Sequence, residues 1–182
     1  GMSDFLALVV GGAPLAARAD EVAAAAVAVG WQVRVIATAD AAGWVDQARV
    51  EAVTGAPLLT QQRRPDQPKR FPTPAAVLAC PATFNTVNKL AAGIMDNYPS
   101  GVLCEALASG TRLVMVPMVS TRLWGHPVWA PNLALLAGAG VRFVDARTGR
   151  LGPPSPSEAG LADDVVAGFE PAWPLAAADP ST

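Results

Sequence analysis

The sequence predicts an α/β fold, a three-layer doubly wound parallel sheet. Three observations point there. Short, continuous apolar runs alternate with longer helix-forming runs. The apolar runs lack the polar alternation of a half-exposed strand, so both of their faces are expected to be covered. Most of them end at glycine or proline, the punctuation expected at strand-to-helix turns.

Residues 5–10 (FLALVV) read as a buried parallel strand that ends at Gly11-Gly12. Pro14 suits a first helical turn, where its missing N–H is not needed. Residues 15–29 are Ala-rich and stop at Gly30. Residues 32–37 (QVRVIA) are β-branched and strand-like. A β-α-β unit therefore opens the chain. Residues 53–74 carry several prolines, glutamines and arginines and read as an exposed loop or flap. The next strand is 75–80, ending at Pro81, followed by a helix over 84–92 with Gly93 as its stop. A helix over 99–108, a strand over 112–116, a helix over 131–138 and a last core strand over 141–144 complete the pattern. A further helix is expected around 157–169, and the tail from 170 is either loosely held or docked by Trp173.

The 182 residues are read as one domain, 1–182. The Gly before Met2 resembles a tag remnant and is set aside. Thirteen basic against fifteen acidic residues give a net charge of -2 and no reason to expect a nucleic-acid partner. No uncharged apolar stretch reaches membrane-spanning length, so no membrane partner is expected. Cys80 and Cys104 lie inside apolar runs and read as small buried hydrophobes. They form no zinc pattern and no disulfide framework, so a cytoplasmic location is expected.

In such a sheet, ligands sit beyond the carboxyl ends of the strands, at the point where strand order reverses. The turn Gly11-Gly12-Ala13 offers free N–H groups to a phosphate, or is a plain tight turn. Thr38 ends the neighbouring strand, where its hydroxyl could share that phosphate. Residues Thr83, Asn85 and Thr86 lie between a buried strand and a helix, and Asn85 or Thr86 either caps the helix or faces a ligand.

Here the chain resembles a known family. Residues 81–97 (PATFNTVNKLAAGIMDN) resemble the PASANT-type motif of the homo-oligomeric flavin-containing cysteine decarboxylases. Asn85, Thr86, Lys89, Ala91, Gly93, Asp96 and Asn97 meet its "ANT…K.A.G..DN" pattern. Pro117-Met118, Trp124 and Pro127 parallel the family's "PAMN..MW..P" segment. The likeness extends over about 75 to 145. It implies a Rossmann-like flavoprotein fold that binds FMN. The phosphate would lie on Gly11, Gly12, Ala13 and Thr38, and the ring and ribityl chain would run past Pro81, Ala82, Thr83, Phe84, Asn85 and Thr86. It also implies a cysteinyl or related small substrate near Asn85, Met118, Ser120 and Trp124. A homo-oligomer, a trimer or a multiple of trimers, would bring the flavin close to a subunit interface.

The departures bear on chemistry. The family carries a catalytic His before the strand that leads into the motif, and no His stands between 1 and 125. Gln67, Lys69 and Arg70 occupy that neighbourhood, and none suits proton transfer near neutrality. Ser120 stands in place of the family's Asn, and residues 146–160 lack the family's flap Cys. Altered or lost decarboxylase chemistry is therefore expected, with a non-catalytic flavin-binding protein as the alternative. A flavin prenyltransferase shares the fold but lacks a matching acid and base set here. His126, the only histidine, is either an acid or base at the pocket mouth or a solvent-facing loop residue. Trp124 is either a stacking group or a core aromatic.

Overall fold

The computed structural model describes residues 4–156 and 162–182. Its centre is a five-stranded parallel sheet in the order β2-β1-β3-β4-β5. The strands are β1 (Phe5–Val10), β2 (Gln32–Ala37), β3 (Ala76–Ala82), β4 (Arg112–Pro117) and β5 (Arg142–Phe143). Every residue of β1 and β3 is buried, which is why these runs are apolar without alternation. Leu59 adds a parallel bridge to Ile36 at the outer edge of β2.

Successive side chains point to opposite faces of the sheet, so one strand feeds two cores. Leu6, Leu8 and Val10 face a core shared with α1 (Ala19–Ala28) and with Val165 of α7 (Ala162–Gly168) and Leu175 of α8 (Ala172–Ala178). Ala7 and Val9 face a second core built with α3 (Phe84–Ala92), α4 (Tyr98–Ala108) and α6 (Trp129–Gly138). The fold is the expected Rossmann-like doubly wound sheet with helices on both faces. No described helix is long and apolar enough to cross a membrane.

Several boundaries differ from expectation. The run after β1 opens as a 3-10 turn, Pro14–Arg18, before α1 begins. A helix, α2 (Gln47–Thr54), precedes the long loop and ends where the loop was expected to have begun. Asp46 Oδ1 caps it by accepting from the Arg49 N–H at 3.1 Å, and Gly55 closes it with φ 71°. The short α5 (Thr121–Trp124) was not expected, and α6 begins two residues earlier than predicted. Of the helix expected over 157–169, residues 157–161 lie outside the described residues.

The loop of residues 60–74 is tied to itself and to the body. Arg63 Nη1 donates to Gln67 O at 2.7 Å and Arg70 Nη2 to Gln61 O at 2.6 Å. The Arg70 guanidinium lies 4.8 Å from the Tyr98 ring centre, and Phe71 stacks on Phe5 at 5.4 Å.

The carboxyl-terminal tail packs against the body through Trp173 and α8. Trp173 meets Phe169 edge-on at 5.7 Å, and α8 buries Leu175, Ala177 and Ala178. The Trp173 ring also lies on Gly149, where a Cβ would come within 2.6 Å of Cε2.

Asp145, at the end of β5, holds the following loop together. It is buried and accepts from Arg147 N–H (2.8 Å), Thr148 N–H (3.1 Å), Ser155 N–H (2.8 Å) and Ser155 Oγ (2.5 Å). Burial alone pushes its carboxyl up, but these donors outweigh burial and hold it below the ordinary carboxylate range. A depressed folded-state value means stability that is present above the unfolded value and is lost as pH falls through the folded one. Asp145→Ala is expected to cost about 3 kcal/mol at neutral pH, because it strands buried donors. Chemical denaturation should show that cost shrinking as pH drops below about 4, where Asp145 of the unfolded chain begins to protonate while the folded carboxylate stays ionised to lower pH.

Candidate functional site

Strand order reverses between β1 and β3, and the crevice beyond their carboxyl ends is the site that this topology provides. The two strand ends meet directly there. Gly11 N–H donates to Pro81 O at 2.9 Å. A Cβ on Gly11 would stand 2.9 Å from that same oxygen and 3.1 Å from Thr83 Cγ2. Glycine at 11 is therefore a requirement of close backbone approach. Gly12 is pressed by the Asp40 side chain, whose Cγ would lie 2.6 Å from a Cβ there. Ala13 is buried, and its N–H turns back to Gly11 O at 3.0 Å. Thr38 continues the ladder through its N–H to Val10 O (3.0 Å), and its hydroxyl leans on the same carbonyl at 3.4 Å.

The 81–86 segment divides into structural and free groups. Pro81 and Ala82 are buried, and Ala82 O accepts from Met118 N–H at 2.9 Å. The cap of α3 is Thr83, and neither Asn85 nor Thr86 serves in that place. Thr83 Oγ1 accepts from Thr86 N–H at 3.2 Å and lies 3.1 Å from Thr86 Oγ1. Thr86 is buried in that arrangement. Asn85 stays exposed, and its amide has no hydrogen bond among the described residues. It is the free polar group of the segment.

The remaining motif residues build a corner. Lys89 Nζ pairs with Asp96 at 2.8 and 3.0 Å, and this hydrogen bond holds the Asp96 carboxyl below its ordinary value. Gly93 ends α3 with φ 70°, and Asn97 Oδ1 caps α4 by accepting from Ser100 N–H at 2.9 Å. Lys89, Gly93, Asp96 and Asn97 thus fix the α3–α4 turn.

Phe84 gathers an aromatic cluster from three elements. Its ring lies 5.4 Å from Trp129 and 5.6 Å from His126, and Trp124 meets Trp129 edge-on at 5.4 Å. Trp129 is fully buried, and its Nε1–H has no partner among the described residues. Trp124 is half-buried and belongs to the second core, the core-aromatic alternative. Met118 is buried behind the crevice, whereas Ser120 is half-buried at the start of α5 with no side-chain hydrogen bond among the described residues. Cys80 is buried, and burial pushes its thiol far above the ordinary range. Cys104 is only half-buried, so it is less enclosed than its sequence neighbours suggest.

The sequence places Phe84 in the flavin segment and Asp40 only within the strand-end stretch Thr38-Ala39-Asp40, and it gives no sign of Trp129 as a site feature. Asp40 stands two residues after Thr38, which is the one signal it offers. A cleft of about 830 Å³ lies elsewhere, between the 62–74 loop and α4, and borders none of the switch-point residues. The crevice between β1 and β3 is preferred to it because it lies at the topological switch point, bordered by the Gly11-Gly12 turn.

The family model for flavoproteins matches residues 5–173. The chain belongs to the flavoprotein family. A coenzyme A biosynthesis bifunctional protein, CoaBC, of Thermococcus kodakarensis is 37% identical over 71 residues, covering 39% of this chain and 17% of that protein. Epidermin decarboxylase of Staphylococcus epidermidis is 36% identical over 66 residues, covering 36% of this flavoprotein and 35% of the relative. The chain thus spans well under two thirds of these curated relatives. Among solved structures, the FMN-dependent cysteine decarboxylase SpaF superposes with a TM-score of 0.66 at 24% identity, covering 96% of this flavoprotein and 97% of SpaF. The likeness to SpaF is one of fold.

Proposed function

We propose that this flavoprotein binds FMN without a covalent bond and uses it in oxidative chemistry on a cysteinyl thiol or a related small substrate. The observation that carries the reading is the Gly11–Pro81 contact at the β1/β3 switch point, with exposed Asn85 four residues on, in the first turn of α3. The residues there fit FMN. Among the described residues the Gly12 N–H is left without a partner and is open to a phosphate, whereas a Cβ at 11 or 12 would run into Pro81 O or the Asp40 carboxylate, so glycine there serves the chain's own packing. In this reading the turn Gly11–Ala13 and Thr38 hold the phosphate, with the Thr38 hydroxyl leaving its long bond to Val10 O. The Pro81–Thr86 segment lines the ring and ribityl chain, and Asn85 supplies the free amide. When bound, the flavin supplies two-electron oxidation of the thiol-bearing carbon. A cytoplasmic homo-oligomer, a trimer or a multiple of trimers, is part of the same reading.

Asp40 opposes the phosphate, since a carboxylate beside Gly12 repels a dianion. Its side chain is exposed and can swing away. Asp40→Asn is expected to tighten FMN binding roughly three- to tenfold at low salt, with the gain shrinking at high salt. Flavin fluorescence titration at two ionic strengths checks this.

A second reading, a flavin-binding protein without decarboxylase turnover, is supported by the absence of any His before 126 and by Ser120. Anaerobic incubation of the FMN-loaded protein with peptides ending in cysteine separates the two. Flavin bleaching with release of carbon dioxide supports the catalytic reading. Tight FMN binding with no bleaching supports the second.

A further inference from the structure

We propose that the cleft between the 62–74 loop and α4 is a second ligand site, and that it takes a nucleotide. It is separate from the flavin crevice and goes beyond the flavin reading. The cleft follows from how the chain crosses from β2 to β3. That crossover carries one helix, α2, whose Val50 packs into the core shared with α1. On the opposite face of the sheet, where Val9, Ile36 and Val77 lie, the crossover contributes loop residues instead, through Leu59 and Phe71. Between that loop and α4 a space of about 830 Å³ stays open.

One wall is a helix face. Tyr98, Val102 and Glu105 of α4, with Ser109 at its carboxyl-terminal cap, line the cleft. They stand at i, i+4, i+7 and i+11, so they share one side of the helix and span about 16 Å. The other wall is cationic. Arg63, Lys69 and Arg70 line it, and Glu105 is the single acid among the described lining residues. The chain as a whole has a net charge of -2, so the sign is reversed locally.

The two guanidinium groups are fixed in place without being neutralised. Arg63 Nη1 donates to Gln67 O at 2.7 Å and to Arg64 O at 3.4 Å. Arg70 Nη2 donates to Gln61 O at 2.6 Å, and its guanidinium lies 4.8 Å from the Tyr98 ring centre. Both residues are half-buried. Lys69 has neither a hydrogen bond nor an ion pair among the described residues. Asp66, the acid of this loop, pairs with Arg64 at 3.5 Å and with none of the three.

Main-chain carbonyls orient a guanidinium but carry no net charge. The free N–H groups of Arg63 and Arg70 and the Lys69 ammonium therefore suit an anion, and the planar fork of arginine matches a phosphate. Phe71, Val77, Val102 and Ala106 give the cleft an apolar floor. Glu105, further along α4, accepts from hydroxyl or amino groups. The space far exceeds a bare ion and suits an organic ligand. A nucleotide carries a phosphate at one end, and hydroxyl and amino groups along a ring-bearing body.

Isothermal titration calorimetry of the full chain with AMP, adenosine and inorganic phosphate tests the site. AMP is expected to bind roughly tenfold or more tightly than either adenosine or phosphate, and to weaken as salt rises. Lys69→Gln removes a charge that holds nothing else in the protein, so its thermal melt should match the parent. Its AMP affinity should fall roughly three- to tenfold. Arg63→Gln combined with Lys69→Gln should erase the preference for AMP over adenosine. Added FMN should leave AMP affinity unchanged. No binding of AMP, adenosine binding as tightly as AMP, phosphate matching AMP (an adventitious ion only), or an unchanged affinity in Lys69→Gln would overturn the proposal. Displacement of FMN by AMP would overturn it too, since the two would then share one site. A protein that binds AMP as described but takes up no FMN would sink the flavin reading and leave this site standing.

Discussion

Gly11→Val is expected to weaken FMN binding at least a hundredfold and to lower stability by roughly 3 kcal/mol, because it overpacks the junction of β1 and β3. The Cβ alone would meet Pro81 O at 2.9 Å, and that oxygen belongs to the backbone of a buried strand. Moving it away breaks the Gly11 N–H···O bond that sets the width of the crevice. Valine adds two further methyls against Thr83, which caps α3 and leads into Asn85. Gly12→Ala is the control. Its Cβ meets an exposed Asp40 side chain that can rotate, so its stability cost should stay under about 1 kcal/mol. Flavin titration and thermal denaturation of both variants measure the contrast. A Gly11→Val protein that binds FMN as the parent does would move the flavin site away from the switch point.

Deleting residues 172–182 is expected to cost roughly 5 kcal/mol or more, which for a domain of this size approaches its whole stability. Leu175, Ala177 and Ala178 lose their cover, and so does the sheet face that they share with Leu6 and Val114. Arg112 and Arg142 both donate to Ala177 O, at 3.4 and 3.3 Å, and would be left without that acceptor. Trp173 would leave Phe169 and Gly149. Circular dichroism and denaturant titration should show a protein that is largely unfolded or melts far earlier than the parent. A deletion that melts within a few degrees of the parent would mean that α8 is an accessory to the core and not part of it.

The sheet was legible because a parallel strand covered on both faces leaves a continuous apolar run, as residues 5–10 and 76–80 do. The helices α3 and α4 were legible through Gly93 and through the apolar positions Val87, Leu90, Leu103 and Ala106. By contrast α2 was hidden, because Val50 is its one buried residue and its polar sequence resembles the loop that follows. Pro174 disguised α8, since a proline in the first turn of a helix reads like one in a loose tail. The α3 cap was displaced by two or three residues because Thr83, Asn85 and Thr86 are all competent cap residues, and the actual end of β3 decides among them.

The candidate site was legible only where it is local. The glycine turn and the 81–86 segment are contiguous in sequence, and both reach the switch point. The aromatic cluster was not, because Phe84, Trp124, His126 and Trp129 come from separate elements and meet only on folding. Asp40 was not, because its return to Gly12 depends on the turn in which Ala41 and Ala42 N–H donate to Thr38 O. The motif positions Lys89, Asp96 and Asn97 carried a functional resemblance, yet their contacts are those of an ion pair and a helix cap.

The central claim is that the β1/β3 crevice holds FMN. An absorption spectrum of the purified protein, after incubation with FMN and removal of the excess, tests it most directly when followed by heat release and chromatography of the cofactor. A yellow protein that releases FMN in about a one-to-one ratio with chains is expected. A protein that stays colourless would contradict it, and would mean that the flavoprotein fold is kept here without its flavin.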